Sequence, residues 1–132
     1  MTGPNPVGSV VSCISNTVEA RPLKSCEAPH QDTDLVHYVI VRADLPFGSQ
    51  VAQTVHAAGE STPTRVPTNT VAVALHARNQ DHLLELQAKL TKMGIAHVLI
   101  SECDGEPMAI GIEPTKDRHT IRKVTSSLPL VK

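Results

Sequence analysis

Aromatic side chains are almost missing from this chain. Tyr38 and Phe47 stand alone in 132 residues, and tryptophan is absent. That scarcity argues against recognition of single-stranded nucleic acid by stacking bases on aromatic platforms. Cysteine is also sparse. Cys13, Cys26 and Cys103 show neither a disulfide framework nor zinc-ligand spacing, so a reduced intracellular compartment is expected, the cytoplasm first. No apolar run reaches the length of a membrane span, so no membrane partner is expected, and the start lacks a secretory pattern. A mitochondrial transit segment is the alternative, since the first residues are Ser-rich and free of acids up to Glu19. Pro4, Pro6 and the late arrival of Arg21 oppose it.

Excess charge of either sign is lacking too. The formal net charge is −1. From residue 36 onward ten Lys and Arg face nine Asp and Glu, and the residues before carry two against four. Neither balance announces a nucleic-acid binder, so any basic surface has to be local.

What is present divides in two. Residues 1–34 are rich in Pro, Ser, Thr and Asn without a sustained period, and read as a flexible extension. Residues 35–132 read as one α/β domain. Residues 36–41 read as a buried strand. A helix over residues 48–59 follows, with Gly48 or Ser49 as its cap. Pro63 and Pro67 mark a loop, and residues 70–77 a second strand. Asn79 caps a second helix with Leu83, Leu86, Leu90 and Met93 as its apolar stripe, and Gly94 ends it. Residues 95–101 and 108–112 are strands three and four around an acidic turn. Pro114 or Thr115 opens a last helix, and residues 128–131 offer a short final strand. The order β-α-β-α-β-β-α predicts a three-layer α/β/α fold with a mixed, mostly parallel sheet of four or five strands. Ligands of such sheets bind at the carboxyl ends of strands.

The most telling stretch begins at such an end. Ser49, Gln53, His56 and Glu60 fall at i, i+4, i+7 and i+11, one narrow stripe of a helix. Val51, Ala52, Val55 and Ala58 occupy much of the opposite side and are expected to pack. A merely solvated stripe would more usually carry Lys, Glu and Arg. Gln and His at that spacing are suited to holding something.

This strand, turn and helix resemble the type 2 peptidyl-tRNA hydrolase family. There, Gly-Lys-x-Ala-Ala-Gln-x-x-His-Ala opens the first helix. Here Gly48, Ser49, Gln50, Val51, Ala52, Gln53, Thr54, Val55, His56 and Ala57 stand in those positions. Asp44 matches an acidic turn residue, and Ile112-Glu113-Pro114 resembles the family's strand-exit proline. The resemblance covers residues 36–132. It departs at Ser49, which replaces lysine, at Met108, which aligns with a threonine, and in the short loop 101–107, whose carboxylates are Glu102, Asp104 and Glu106. These departures resemble the divergent peptidyl-tRNA hydrolase domain-containing subgroup, which also lacks the lysine.

The resemblance implies hydrolysis of the ester between a peptide and the 3′ ribose of tRNA, with peptidyl-tRNA as partner and no metal or organic cofactor. It leaves a homodimer open. The implied catalytic residues are His56 as base, Gln53 as orienting amide or oxyanion donor, and Asp104 as the acidic-loop carboxylate, with Glu102 next. Gly48, Ser49 and Asp44 are the expected substrate contacts beside the helix start. Arg118 and Arg122, with Lys116, His119 and Lys123, are expected to meet tRNA phosphates. Each has an ordinary alternative: a hydrogen-bonded helix histidine, a serine cap, an Asp-Gly turn, a surface Arg42–Asp44 pair, a solvated basic face. The competing function is a module of the same fold, impaired in catalysis, that binds RNA or a small ligand.

Overall fold

Two strands of this protein are buried along their whole length, and the sheet explains why. The computed structural model describes residues 35–67 and 69–132, so the expected N-terminal extension, with Cys13 and Cys26, lies outside the described residues. The elements are β1 (Val36–Arg42), α1 (Phe47–Glu60), β2 (Val71–Ala77), α2 (Gln80–Lys92), β3 (His97–Ser101), β4 (Pro107–Ile112) and α3 (Arg118–Thr125). The strands order as β2-β1-β4-β3, which places β1 and β4 inside. Both are covered on two faces, hence their largely apolar sequence. No helix among the described residues is long and apolar enough to cross a membrane.

The sheet is mixed and four-stranded, as expected. Three strands point one way, yet only β1 and β2 form a parallel pair. The β3–β4 hairpin turns β4 back between β3 and β1, so both of its neighbours are antiparallel to it. Alternating βα units specify strand direction, whereas the place of a strand in the sheet is decided by where the hairpin folds. The fifth strand reduces to one bridge, Leu75 with Leu130, flanked by hydrogen bonds of His76 N to the Pro129 carbonyl and Val131 N to the Ala74 carbonyl.

α1 covers one face, and α2 and α3 cover the other. On the second face Tyr38, Ile40, Ile110 and Ile112 meet Leu83, Leu86, Leu90, Ile121 and Val124. Full burial of such a side chain contributes about 1.5–3 kcal/mol. The Asn79 cap forms as expected, its side chain accepting from His82 N at 2.9 Å, and Gly94 ends α2 at φ 72°. α3 starts later than expected, at Arg118. Thr115 is engaged by Val36 in a two-bond bridge, so Asp117 becomes the cap, accepting from Thr120 N.

On the first face the contact is made by small residues. Val39, Val41 and Ala109 pack against Ala57. Gly111 lies directly under α1: a β-carbon there would overlap the Ala57 carbonyl and stand 2.7 Å from Ser61 Oγ. The helix therefore sits close to the sheet. His37, buried on the central strand, is satisfied just beyond the helix end, where its Nε2 lies 2.8 Å from Ser61 Oγ.

Two outcomes follow for stability. Gly111→Ala is expected to destabilise the fold by about 1–3 kcal/mol through overpacking, whereas Gly59→Ala, with open space around it, should gain about 0.5–1 kcal/mol. Urea unfolding of both variants checks this, and a neutral Gly111→Ala would contradict the close approach. Burial also pushes the His37 imidazole below its ordinary value of 6.5. The unfolded chain then binds more protons than the fold, so stability should fall as pH drops below that value, by at most about 1.4 kcal/mol per pH unit per proton. His82 shifts the same way. His37→Gln should make the pH dependence shallower, which melting temperatures between pH 7 and pH 5 would show.

Candidate functional site

Arg42 ends β1 with a guanidinium that cannot stay alone. The residue is 7 % exposed. Its Nε and Nη2 donate to the two Asp44 carboxylate oxygens at 2.9 and 2.8 Å. Its Nη1 donates to Glu106 Oε2 at 2.8 Å and to the Pro107 carbonyl at 3.0 Å. Hydrogen bonding to Asp44 raises the guanidinium pKa well above its usual range, and the same contact holds the Asp44 carboxyl below the carboxylate range. This is not the surface pair offered as an ordinary alternative. One buried cation ties the turn before α1 to the turn between β3 and β4.

The start of α1 hangs on this clamp. Gln50 secures it further: its amide Nε2 donates to the Leu45 carbonyl at 2.8 Å, and its Oε1 lies 2.7 Å from His76 Nε2 on β2. The expected Gly48 or Ser49 cap is not formed. Pro46 is the cap residue, with no side-chain hydrogen bond. Proline has nothing to donate or accept with its side chain, so the backbone N–H groups of Phe47, Gly48 and Ser49 lack a side-chain cap. Ser49 instead sits half-buried within the first turn.

α1 is also turned differently from expectation. Its buried residues are Gln53 and Ala57. Phe47 at 70 %, Val51 at 48 % and Val55 at 65 % are exposed, and Ala52 with them. Of the expected packing residues only Ala58 reaches the sheet cluster. Two physical reasons decide the rotation. Only a small residue such as Ala57 fits over Gly111, and the Thr54 hydroxyl and the Gln53 amide find acceptors. Thr54 Oγ1 donates to the Gln50 carbonyl at 2.7 Å, and Gln53 Nε2 donates to Glu102 Oε2 at 3.3 Å.

Gln53 is thus the centre of the candidate site, 9 % exposed and aimed at Glu102 just past β3. Ser49 and His56 flank it on the same stripe, both half-buried. Asp104 is elsewhere. It is exposed, and its Oδ1 accepts from Glu106 N at 2.9 Å, the turn chemistry of an Asp-Gly corner. The carboxylate brought to the stripe is Glu102. Met108 is buried at the register shift, where β4 carries one residue more than β3. Arg118 and Arg122 are not brought to the stripe either. They lie on α3, across the sheet, where they line a depression of about 390 Å³ with His119 and Lys123.

Sequence reasoning passed over Gln50, His76 and the depth of Arg42. A signal existed for the last, because an arginine closing a largely apolar strand needs partners to be buried. Gln50 and His76 carried none, their pairing being decided by the β1–β2 register.

Arg42→Ala is expected to cost about 2 kcal/mol, less than a fully buried ion pair because Asp44 and Glu106 are two-fifths exposed and rehydrate. Arg42→Lys should recover little of it, since an ammonium cannot serve the bidentate carboxylate and the second turn together. Urea unfolding tests both, and a lysine variant equal to wild type would remove the clamp from the account.

Comparison with curated protein sequences finds no match. The family model for Peptidyl-tRNA hydrolase PTH2 matches residues 35–131. That span holds the whole described sheet, the Arg42 clamp and the Gln53 stripe, and the chain belongs to the PTH2 peptidyl-tRNA hydrolase family.

Proposed function

We propose that this chain hydrolyses the ester between a peptide and the 3′ ribose of tRNA, releasing a free peptide acid and a tRNA with its hydroxyl restored. The observation that carries the reading is the buried Gln53 amide, held by Glu102 at 3.3 Å within the Ser49–His56 stripe of a peptidyl-tRNA hydrolase family domain. With Nε2 directed at Glu102, Gln53 presents Oε1 to a water or to the peptide backbone. His56 takes the proton as that water attacks the ester carbon. The uncapped N–H groups at residues 47–49 are donors for the developing oxyanion or for a terminal phosphate. Ser49 supports either with a hydroxyl but no charge. Asp44 acts by holding the helix start through Arg42, and Asp104 by shaping the turn that presents Glu102.

Arg118 and Arg122 enter this reading as phosphate contacts away from the reacting ester. Such contacts position the tRNA and weaken with salt, without entering the chemical step.

Purified full chain is assayed on an N-acetylated aminoacyl-tRNA. His56→Ala is expected to lower kcat about 10²–10⁴-fold. Gln53→Ala and Glu102→Gln should also lower it, whereas Asp104→Asn should leave it close to wild type. Arg118→Gln with Arg122→Gln should raise KM, flatten its salt dependence and spare kcat. Saturable tRNA binding without hydrolysis by wild type would instead assign the chain to a binding module of this fold.

A further inference from the structure

The two edges of the sheet are treated differently. The β2 edge is partly covered by residues 129–131, through two backbone hydrogen bonds and a bridge. The β3 edge has no backbone partner among the described residues. Such a row of free N–H and C=O groups is a template for another strand.

We propose that the free edge of β3 is the subsite for the peptide part of the substrate, which joins the sheet as an added strand parallel to β3. The inference rests on the ester-hydrolysis reading above. The parity of the hairpin defines which groups face outward. Glu113 N donates to the Ala96 carbonyl, so these opposed residues form a hydrogen-bonded pair. In an antiparallel ladder such pairs alternate with unbonded ones. Val98 and Ile100 therefore turn their backbone groups toward Gly111 and Ala109, and His97 and Leu99 turn theirs outward.

The edge also leads to the right place. β3 ends in a register shift between Ile100 and Ser101, and the chain then reaches Glu102, which holds the Gln53 amide. The extra residue there is Met108 on β4, pairing resumes with Ser101 opposite Pro107, and a bulge of this kind bends the strand pair. The ester is the carboxyl end of the peptide. With that end at Glu102, the peptide runs in the direction of β3. Leu99 can then donate to one peptide carbonyl and accept from an amide two residues on. This mode reads the backbone, the one part that peptides of differing sequence share. Proline at an engaged amide would be disfavoured, because it has no N–H to give.

The test uses the full chain and a series of N-acetylated peptidyl-tRNAs with one to four residues. Two added backbone hydrogen bonds are expected to raise kcat/KM about tenfold between one and three residues, with a plateau beyond. N-methylation of successive peptide amides should lower kcat/KM about tenfold at one parity and hardly at the other. Leu99→Pro removes an outward N–H, which an edge strand tolerates better than a central one. It should abolish the gain between one and three residues. If that variant fails to fold, the N-methyl series decides with the protein unaltered. Rates indifferent to peptide length, or methylation effects equal at both parities, would overturn the edge subsite while leaving hydrolysis standing. Failure to hydrolyse any member of the series would overturn the hydrolase reading and the edge subsite with it.

Discussion

Everything at the carboxyl end of this sheet depends on one buried guanidinium. Arg42 sits where β1 leaves the core, and burial there is tolerable only with charged or carbonyl acceptors around it. Asp44 and Glu106 supply them from two turns separated in sequence by 61 residues between them. The first turn delivers α1, and the second delivers Glu102. Gln53 meets Glu102 because both of their supports are tied to the same cation. The charge serves geometry, and Asp44 has a concrete task as one half of a bidentate pair.

The helix carried by this clamp inverts the usual division of faces. Amide, hydroxyl and methyl groups turn inward, while phenyl and isopropyl groups of Phe47, Val51 and Val55 face outward. The inversion is stable because closeness replaces bulk. Ala57 over Gly111 brings the helix backbone down to the sheet, and the side chains of Gln50, Gln53 and Thr54 each donate to an acceptor. A bulkier apolar face would lift the helix and carry Gln53 away from Glu102. Packing and the site are therefore the same constraint seen from two sides.

The fold also separates two kinds of recognition. The neutral, hydrogen-bonding stripe lies on one side of the sheet, and the cationic α3 depression lies on the other. In the proposed function the α3 face takes the polyanionic part of the substrate and the stripe takes the ester-linked peptide.

The sequence alone determined what depends on local period and local chemistry. The seven elements, their order, the Asn79 cap, the Gly94 stop and the Ser49–Gln53–His56 stripe all come from neighbouring residues, whose preferences act before any tertiary contact exists. The resemblance to the family motif is what makes that stripe a proposed site. Tertiary structure alone decided where β4 sits, which face of α1 turns inward, that Glu102 and not Asp104 meets Gln53, and that Arg118 and Arg122 lie across the sheet. Each of these joins residues far apart in the chain. Such contacts are selected by fit, as Ala57 over Gly111 is, and by the need to satisfy every buried polar group, as Arg42 is. A hydropathy pattern records that a residue is apolar, but not whether a glycine 54 positions away has left room for it.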